Sequence, residues 1–182
     1  NGALVYVGRL IESKGLREFL ITYRNLKSNK KRPIVICGDG PEREGLQDLS
    51  DELELSVHFA GEVSRNEVHE HLQSAFCFIM PSFSDEWNLA TLEAMSEGLP
   101  ILGSKYVGIL EELNFSEKSG FYFDPLDKPS IEQAILEMLD LERDSWEFMC
   151  LTNSNLIASL DWTFDGMATR LDRFFESMKS IK

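Results

Sequence analysis

The sequence predicts an α/β domain built on a doubly wound parallel sheet, and three observations lead there. Short apolar runs alternate with stretches whose apolar residues recur at helical spacing. Those runs are apolar throughout, as in strands covered on both faces. Strand–helix alternation with right-handed crossovers then winds helices over both sides of the sheet, leaving a ligand crevice beyond the strands' carboxyl ends.

Each element follows from its residues. "ALVYVG" (3–8) is the first strand, and Leu16, Phe19, Leu20, Tyr23 and Leu26 form the stripe of the first helix. "PIVICG" (33–38) is the second strand, after which Pro41 opens a helix carrying Leu46, Leu49 and Leu53. "VHFAG" (57–61) is the third, followed by Ser64 and Glu67 as a capping box for a helix through about Leu72. "AFCFIM" (75–80) is the fourth, with a helix starting near Leu89. "PILGS" (100–104) and "GFYF" (120–123) complete the sheet. Two helical stripes end the chain, Ile131 to Leu139 and Phe164 to Met178, and core packing is their expected role.

Composition narrows the function. At 182 residues the chain fits one domain, which buries roughly two-thirds of its unfolded surface without a disulfide or metal staple. A net charge of −13 repels nucleic acids and anionic membranes, although one local phosphate site remains compatible with it. Cys37, Cys77 and Cys150 form no CxxC pair and read as buried thiols in a reducing compartment. His58, His69 and His71 lack metal-ligand spacing and read as structural or surface residues. No apolar run approaches the ~20 residues of a membrane span, so the expected location is cytoplasmic. The first strand begins almost at residue 1, which points to a longer protein.

The chemistry collects after the strands. The first is followed by "GRLIESKG", the second by "GDGPERE", the third by "GEVSRNE" and the fourth by "PSFSDEWNLATLE". This set suits an anionic nucleotide sugar. Arg9 and Lys14 can neutralise a diphosphate, one as a planar fork and the other as a point charge. Gly8 lets the backbone approach, and the helix after Asn88 aims its free N–H groups at the same anion. Asp85 and Glu93, on either side of that helix start, can accept hydrogen bonds from the hydroxyls of two sugar rings. Glu93 neighbours Leu89, Leu92 and Ala94, and a carboxylate buried there would require partners.

These residues resemble the nucleotide-sugar-binding, C-terminal half of a GT-B fold glycosyltransferase of the retaining, glycosyl transferases group 1 type. The resemblance is carried by "VGRLIESKGLREFL", "IVICGDGPERE", "VHFAGEVSRNEV", "PSFSDEWNLATLEAMSEGLPIL", "VGILEEL" and "SGFYFDPLD", with Trp162 opening the last helix. It implies that residues 1–182 form one Rossmann-like donor domain with the helices of about 143–182 packed on it. The acceptor-binding N-terminal domain would then lie outside this chain. The implied catalytic residues are Arg9, Lys14 and Asp85. Arg9 and Lys14 would hold the diphosphate, Asp85 the transferred sugar, and Glu93 the ribose. Backbone at Glu86, Trp87, Asn88 and Leu89 would meet phosphate and sugar, and the base would sit near Gly38, Glu62 and Val63.

The resemblance further implies a UDP-, GDP- or ADP-sugar as donor, no required metal or other cofactor, and hexosyl transfer to a glycan or lipid-linked acceptor. The longer protein would then act in polysaccharide biosynthesis, peripheral at the inner membrane face, and this chain alone would not turn over. Three departures bear on donor identity. Asp85 replaces the family's glutamate, Glu86 and Asn88 replace glycines, and Leu110 replaces a proline. Three rival readings fit the residues less well. Nucleotide-sugar epimerases fit the "GRL…KG" loop and "LEAM" helix less well. A receiver-like regulatory domain needs an acidic strand end where this chain has Gly8-Arg9, and a nicotinamide site needs an absent G-x-G-x-x-G.

Overall fold

In the computed structural model the described residues are 2–160, without 86, 87, 114, 115 and 117, and with backbone only at 111 and 112. Trp162 and the Phe164–Met178 stripe therefore lie outside the described residues, as do Glu86 and Trp87.

Among the described residues six strands form one sheet: β1 (Leu4–Val7), β2 (Ile34–Cys37), β3 (Val57–Gly61), β4 (Cys77–Met80), β5 (Ile101–Ser104) and β6 (Gly120–Phe123). Their order is β3-β2-β1-β4-β5-β6, and every neighbouring pair is parallel. The helices are α1 (Leu16–Asn25), α2 (Arg43–Glu52), α3 (Arg65–Gln73), α4 (Leu89–Ser96), α5 (Gly108–Glu112), α6 (Lys128–Leu139) and α7 (Arg143–Ser159). A 3₁₀ turn, Glu12–Lys14, precedes α1.

Side chains of β1 alternate between two cores. Leu4 and Tyr6 join Phe19, Leu20 and Tyr23 of α1 and Ile131, Ile135 and Met138 of α6 on one face. Val5 joins Ala94 and Met95 of α4 and Ile109 and Leu110 of α5 on the other. Both faces of the central strands are thus covered, which explains why those strands read as unbroken apolar runs, whereas the edge strands β3 and β6 expose His58 and Tyr122.

Local signals worked out unevenly. The Ser64–Glu67 capping box forms: Glu67 N–H donates to Ser64 Oγ and Ser64 N–H donates to Glu67 Oε2. Pro41 does not open α2, because Pro41 and Glu42 make a turn and the helix begins at Arg43. The short α5 has too few residues to show a period, so apolar spacing gave no sign of it. Leu110, on α5, is fully buried. Cys37 and Cys77 are buried as expected, whereas Cys150 is only partly so. Burial pushes the Cys37 and Cys150 thiols up to about 11, so both stay protonated at neutral pH.

Asn153 of α7 ties that helix to the sheet: its fully buried Nδ2 donates to the Leu99 and Ser119 carbonyls at 2.7 and 2.9 Å. The Ser119 carbonyl also accepts from Ile101 N–H at 3.1 Å, so the side chain joins α7 to the edge where β5 meets β6.

Candidate functional site

Strand order reverses between β1 and β4, so a crevice opens where their following loops diverge. The loop after β1 carries Gly8, Arg9 and Lys14; the loop after β4 carries Asp85 and Asn88. These are the residues that sequence alone had nominated, and the topology brings them to one edge of the sheet.

Backbone bonds lace this edge together. Gly8 N–H donates to the Cys37 carbonyl at 2.9 Å and Gly38 N–H to the Gly61 carbonyl at 2.7 Å. Leu10 N–H donates to the Asp39 carbonyl, and Glu42 N–H returns to the Leu10 carbonyl. Gly38 has φ +133, and a Cβ there would lie 1.9 Å from the Gly8 carbonyl oxygen. Only glycine lets the first two loops approach this closely. Asp39 stiffens the second loop by accepting from Gly40 N–H at 2.6 Å and pairing with Arg43 at 3.0 Å. The Gly40 bond, then the Arg43 guanidinium, hold its carboxyl below the usual carboxylate range.

Beneath the first loop, the fully buried Tyr6 donates its hydroxyl to the Arg9 carbonyl at 2.9 Å. Burial, and next the nearby Asp85 carboxylate, raise the Tyr6 phenol well above its ordinary value. It therefore stays a hydrogen-bond donor and fixes the backbone at Arg9, whose own side chain is exposed at the cavity mouth.

The second loop pair is held by charge. Lys14 Nζ donates to Asp85 Oδ2 at 2.6 Å, with side-chain exposures of 17% and 9%. Asn88 Nδ2 donates to the same oxygen at 3.0 Å. Asn88 Oδ1 caps α4 by accepting from Thr91 N–H at 2.9 Å. The remaining first-turn amides, including those of Leu89 and Ala90, have no acceptor within the helix. Phe83 N–H donates to the Ser13 carbonyl at 2.8 Å, clamping the two loops together. Asp85 pairs in parallel with Val107, just after β5.

A cavity of about 400 Å³ opens where the loops after β1, β2 and β3 meet, lined by Gly8, Arg9, Gly38, Asp39, Glu62 and Val63 among others. All three residues expected near the base, Gly38, Glu62 and Val63, border it. Glu93 stands apart from the expected burial. Its side chain is 41% exposed and pairs with Arg65 of α3 at 3.7 Å. Leu89, at the start of α4, is 64% exposed, so the helix face around Glu93 is not the sealed apolar one its neighbours predicted. His69, read as structural or surface, pairs with Glu97 at 2.9 Å in the same groove between α3 and α4.

Sequence reasoning missed two contributors. Tyr6 sits inside an apolar strand run, and nothing in that run marks its hydroxyl as a loop anchor. Arg65 opens an amphipathic helix and reads as a solvated cation until α3 and α4 are seen side by side. Among the described residues, no group of three or more His, Cys, Asp or Glu stands together as a metal site. No described helix is long and apolar enough to cross a membrane.

Residues 2–148 match the family described as glycosyl transferases group 1. The chain is 30% identical over 143 residues to the sulfoquinovosyl transferase SQD2 of Arabidopsis thaliana, covering 78% of this chain and 26% of that protein. It is 25% identical over 169 residues to the glycogen synthase of Mycobacterium tuberculosis, covering 91% of this chain and 41% of that one. The chain thus spans less than half the length of these relatives. Its fold superposes on the sucrose-phosphate synthase of Thermosynechococcus elongatus with a TM-score of 0.76 at 20% identity, covering 100% of this chain and 47% of that one.

Proposed function

Because the chain belongs to the glycosyl transferases group 1 family, we propose that it is the donor-binding, C-terminal domain of a retaining GT-B glycosyltransferase. The observation that carries this reading is the convergence at the β1–β4 switch point. Arg9, Lys14 and the capped start of α4 supply positive potential there, while Asp85 and the cavity beside Gly38, Glu62 and Val63 flank it.

The residues divide the donor between them. The base and ribose occupy the cavity side, with the Gly8–Gly38 backbone beneath them. The diphosphate lies against Arg9, Lys14 and the first amides of α4, and Asp85 meets hydroxyls of the transferred sugar. Glu93, on the flank of α4 beside Arg65, receives the ribose hydroxyls. The sugar is a hexose, and UDP, GDP and ADP are the candidate carriers.

In the reaction the bond from the anomeric carbon to the diphosphate oxygen breaks, and the diphosphate keeps the electron pair. The acceptor oxygen bonds to the same face of the sugar, and its proton passes to the departing phosphate. Negative charge therefore builds on the diphosphate, where preorganised cations and helix amides lower the barrier most. The acceptor, a glycan or lipid-linked intermediate, would be presented by an N-terminal domain of a longer protein in polysaccharide biosynthesis. We place that protein in the cytoplasm, peripheral at the inner face of the membrane.

Calorimetric titration with UDP, GDP and ADP tests the reading. At least one should bind the wild-type chain, and Arg9→Ala should weaken it about tenfold, as expected for losing a charge-assisted contact. Equal affinity in the variant, or no binding of any of the three by wild type, would count against the site.

A further inference from the structure

Lys14 has a partner of its own. Its ammonium and the Asp85 carboxylate cover one another, down to 17% and 9% exposure. Asp85 is pinned from three directions. Its N–H donates to the Tyr106 carbonyl at 3.2 Å, its carbonyl accepts from Gly108 N–H at 2.8 Å, and its Oδ2 accepts from Asn88 at 3.0 Å. The carboxylate cannot follow a moving lysine. Lys14 can move, since its four-carbon stem rises from the end of a 3₁₀ turn. A phosphate at the start of α4 finds little open ammonium surface while that pair is closed.

We propose that Asp85 and the donor's diphosphate compete for Lys14. The ammonium exchanges a carboxylate for a phosphate when the donor binds, and returns to Asp85 as the nucleoside diphosphate leaves. Asn88 continues to donate to Oδ2 through the exchange, so the partly buried carboxylate is never left without a partner. Asp85 is then a positioning residue for Lys14 in addition to its sugar contact. This inference rests on the donor-binding reading above.

The test is a double-mutant cycle read by calorimetry with UDP, GDP and ADP, none of which carries the sugar. Asp85→Asn should bind the nucleoside diphosphate roughly 3- to 10-fold more tightly than wild type, because a competing charge is gone. In a Lys14→Gln background that gain should fall by at least about half, since the two residues act through one contact. Asp85→Ser, which also removes the charge, should move affinity in the same direction and covers the case of an unstable Asp85→Asn. Equal or weaker binding by folded charge-removed variants overturns the proposal. So does an undiminished gain in the Lys14→Gln background, which would reflect repulsion alone. If wild type and every variant ignore all three nucleotides, the donor-binding reading falls and this proposal with it. If wild type binds and Asp85→Asn gains nothing, this proposal alone falls.

Discussion

Gly38→Ala is expected to destabilise the domain by about 3 kcal/mol or more and to abolish nucleotide binding. The added methyl would stand 1.9 Å from the Gly8 carbonyl oxygen, at a backbone φ of +133 that alanine rarely adopts. The obstacle is backbone, not a side chain that can swing away, so the loops after β1 and β2 must part. Parting them breaks the Gly8-to-Cys37 and Gly38-to-Gly61 hydrogen bonds and shifts Arg9 from the cavity mouth. Gly45→Ala is the control. It lies within α2, where the contact a Cβ would meet is the far end of the Arg17 side chain at 3.1 Å. Helix propensity there favours alanine by roughly 0.5–1 kcal/mol. Denaturant unfolding of both variants measures the contrast; a Gly38→Ala chain as stable as Gly45→Ala would refute the close-approach explanation.

Lys14→Ala, introduced into the longer protein, is expected to lower kcat/KM for sugar transfer by about 10²- to 10³-fold, the scale for losing one preorganised group at a developing anion. The fold should persist. Asp85 loses its ion pair but keeps Asn88 as a donor, and its backbone bonds to Tyr106 and Gly108 do not involve Lys14. Steady-state kinetics with a thermal melt on the same preparation separates the effects. A kcat/KM within about threefold of wild type in a folded protein would show that Lys14 does not stabilise the leaving group.

How much of this was legible beforehand depended on range. The four central strands were legible because burial on both faces writes a local signature into four consecutive residues, and the edge strands β3 and β6, though exposed at His58 and Tyr122, keep enough apolar residues to read as strands. The chemistry-bearing loops were legible because they follow the carboxyl ends of those strands, where the topology must gather them. Strand order follows from no local pattern, and it is the order that puts β1 beside β4 and so Lys14 beside Asp85, 71 positions away in the chain. The same limit applied to Glu93. Its neighbours in sequence are apolar, but its exposure is decided by α3, which brings Arg65 alongside. Tyr6 was hidden for the opposite reason: its ring satisfies the apolar pattern, and its hydroxyl acts only once the chain turns back at Arg9.

A crystal structure of the chain with whichever of UDP, GDP or ADP binds it tests the central claim most directly. The diphosphate should lie within hydrogen-bonding distance of Lys14 Nζ and the first amides of α4, with the base beside Gly38, Glu62 and Val63. A diphosphate seated elsewhere, with Lys14 still closed on Asp85 and Arg9 turned to solvent, would contradict it.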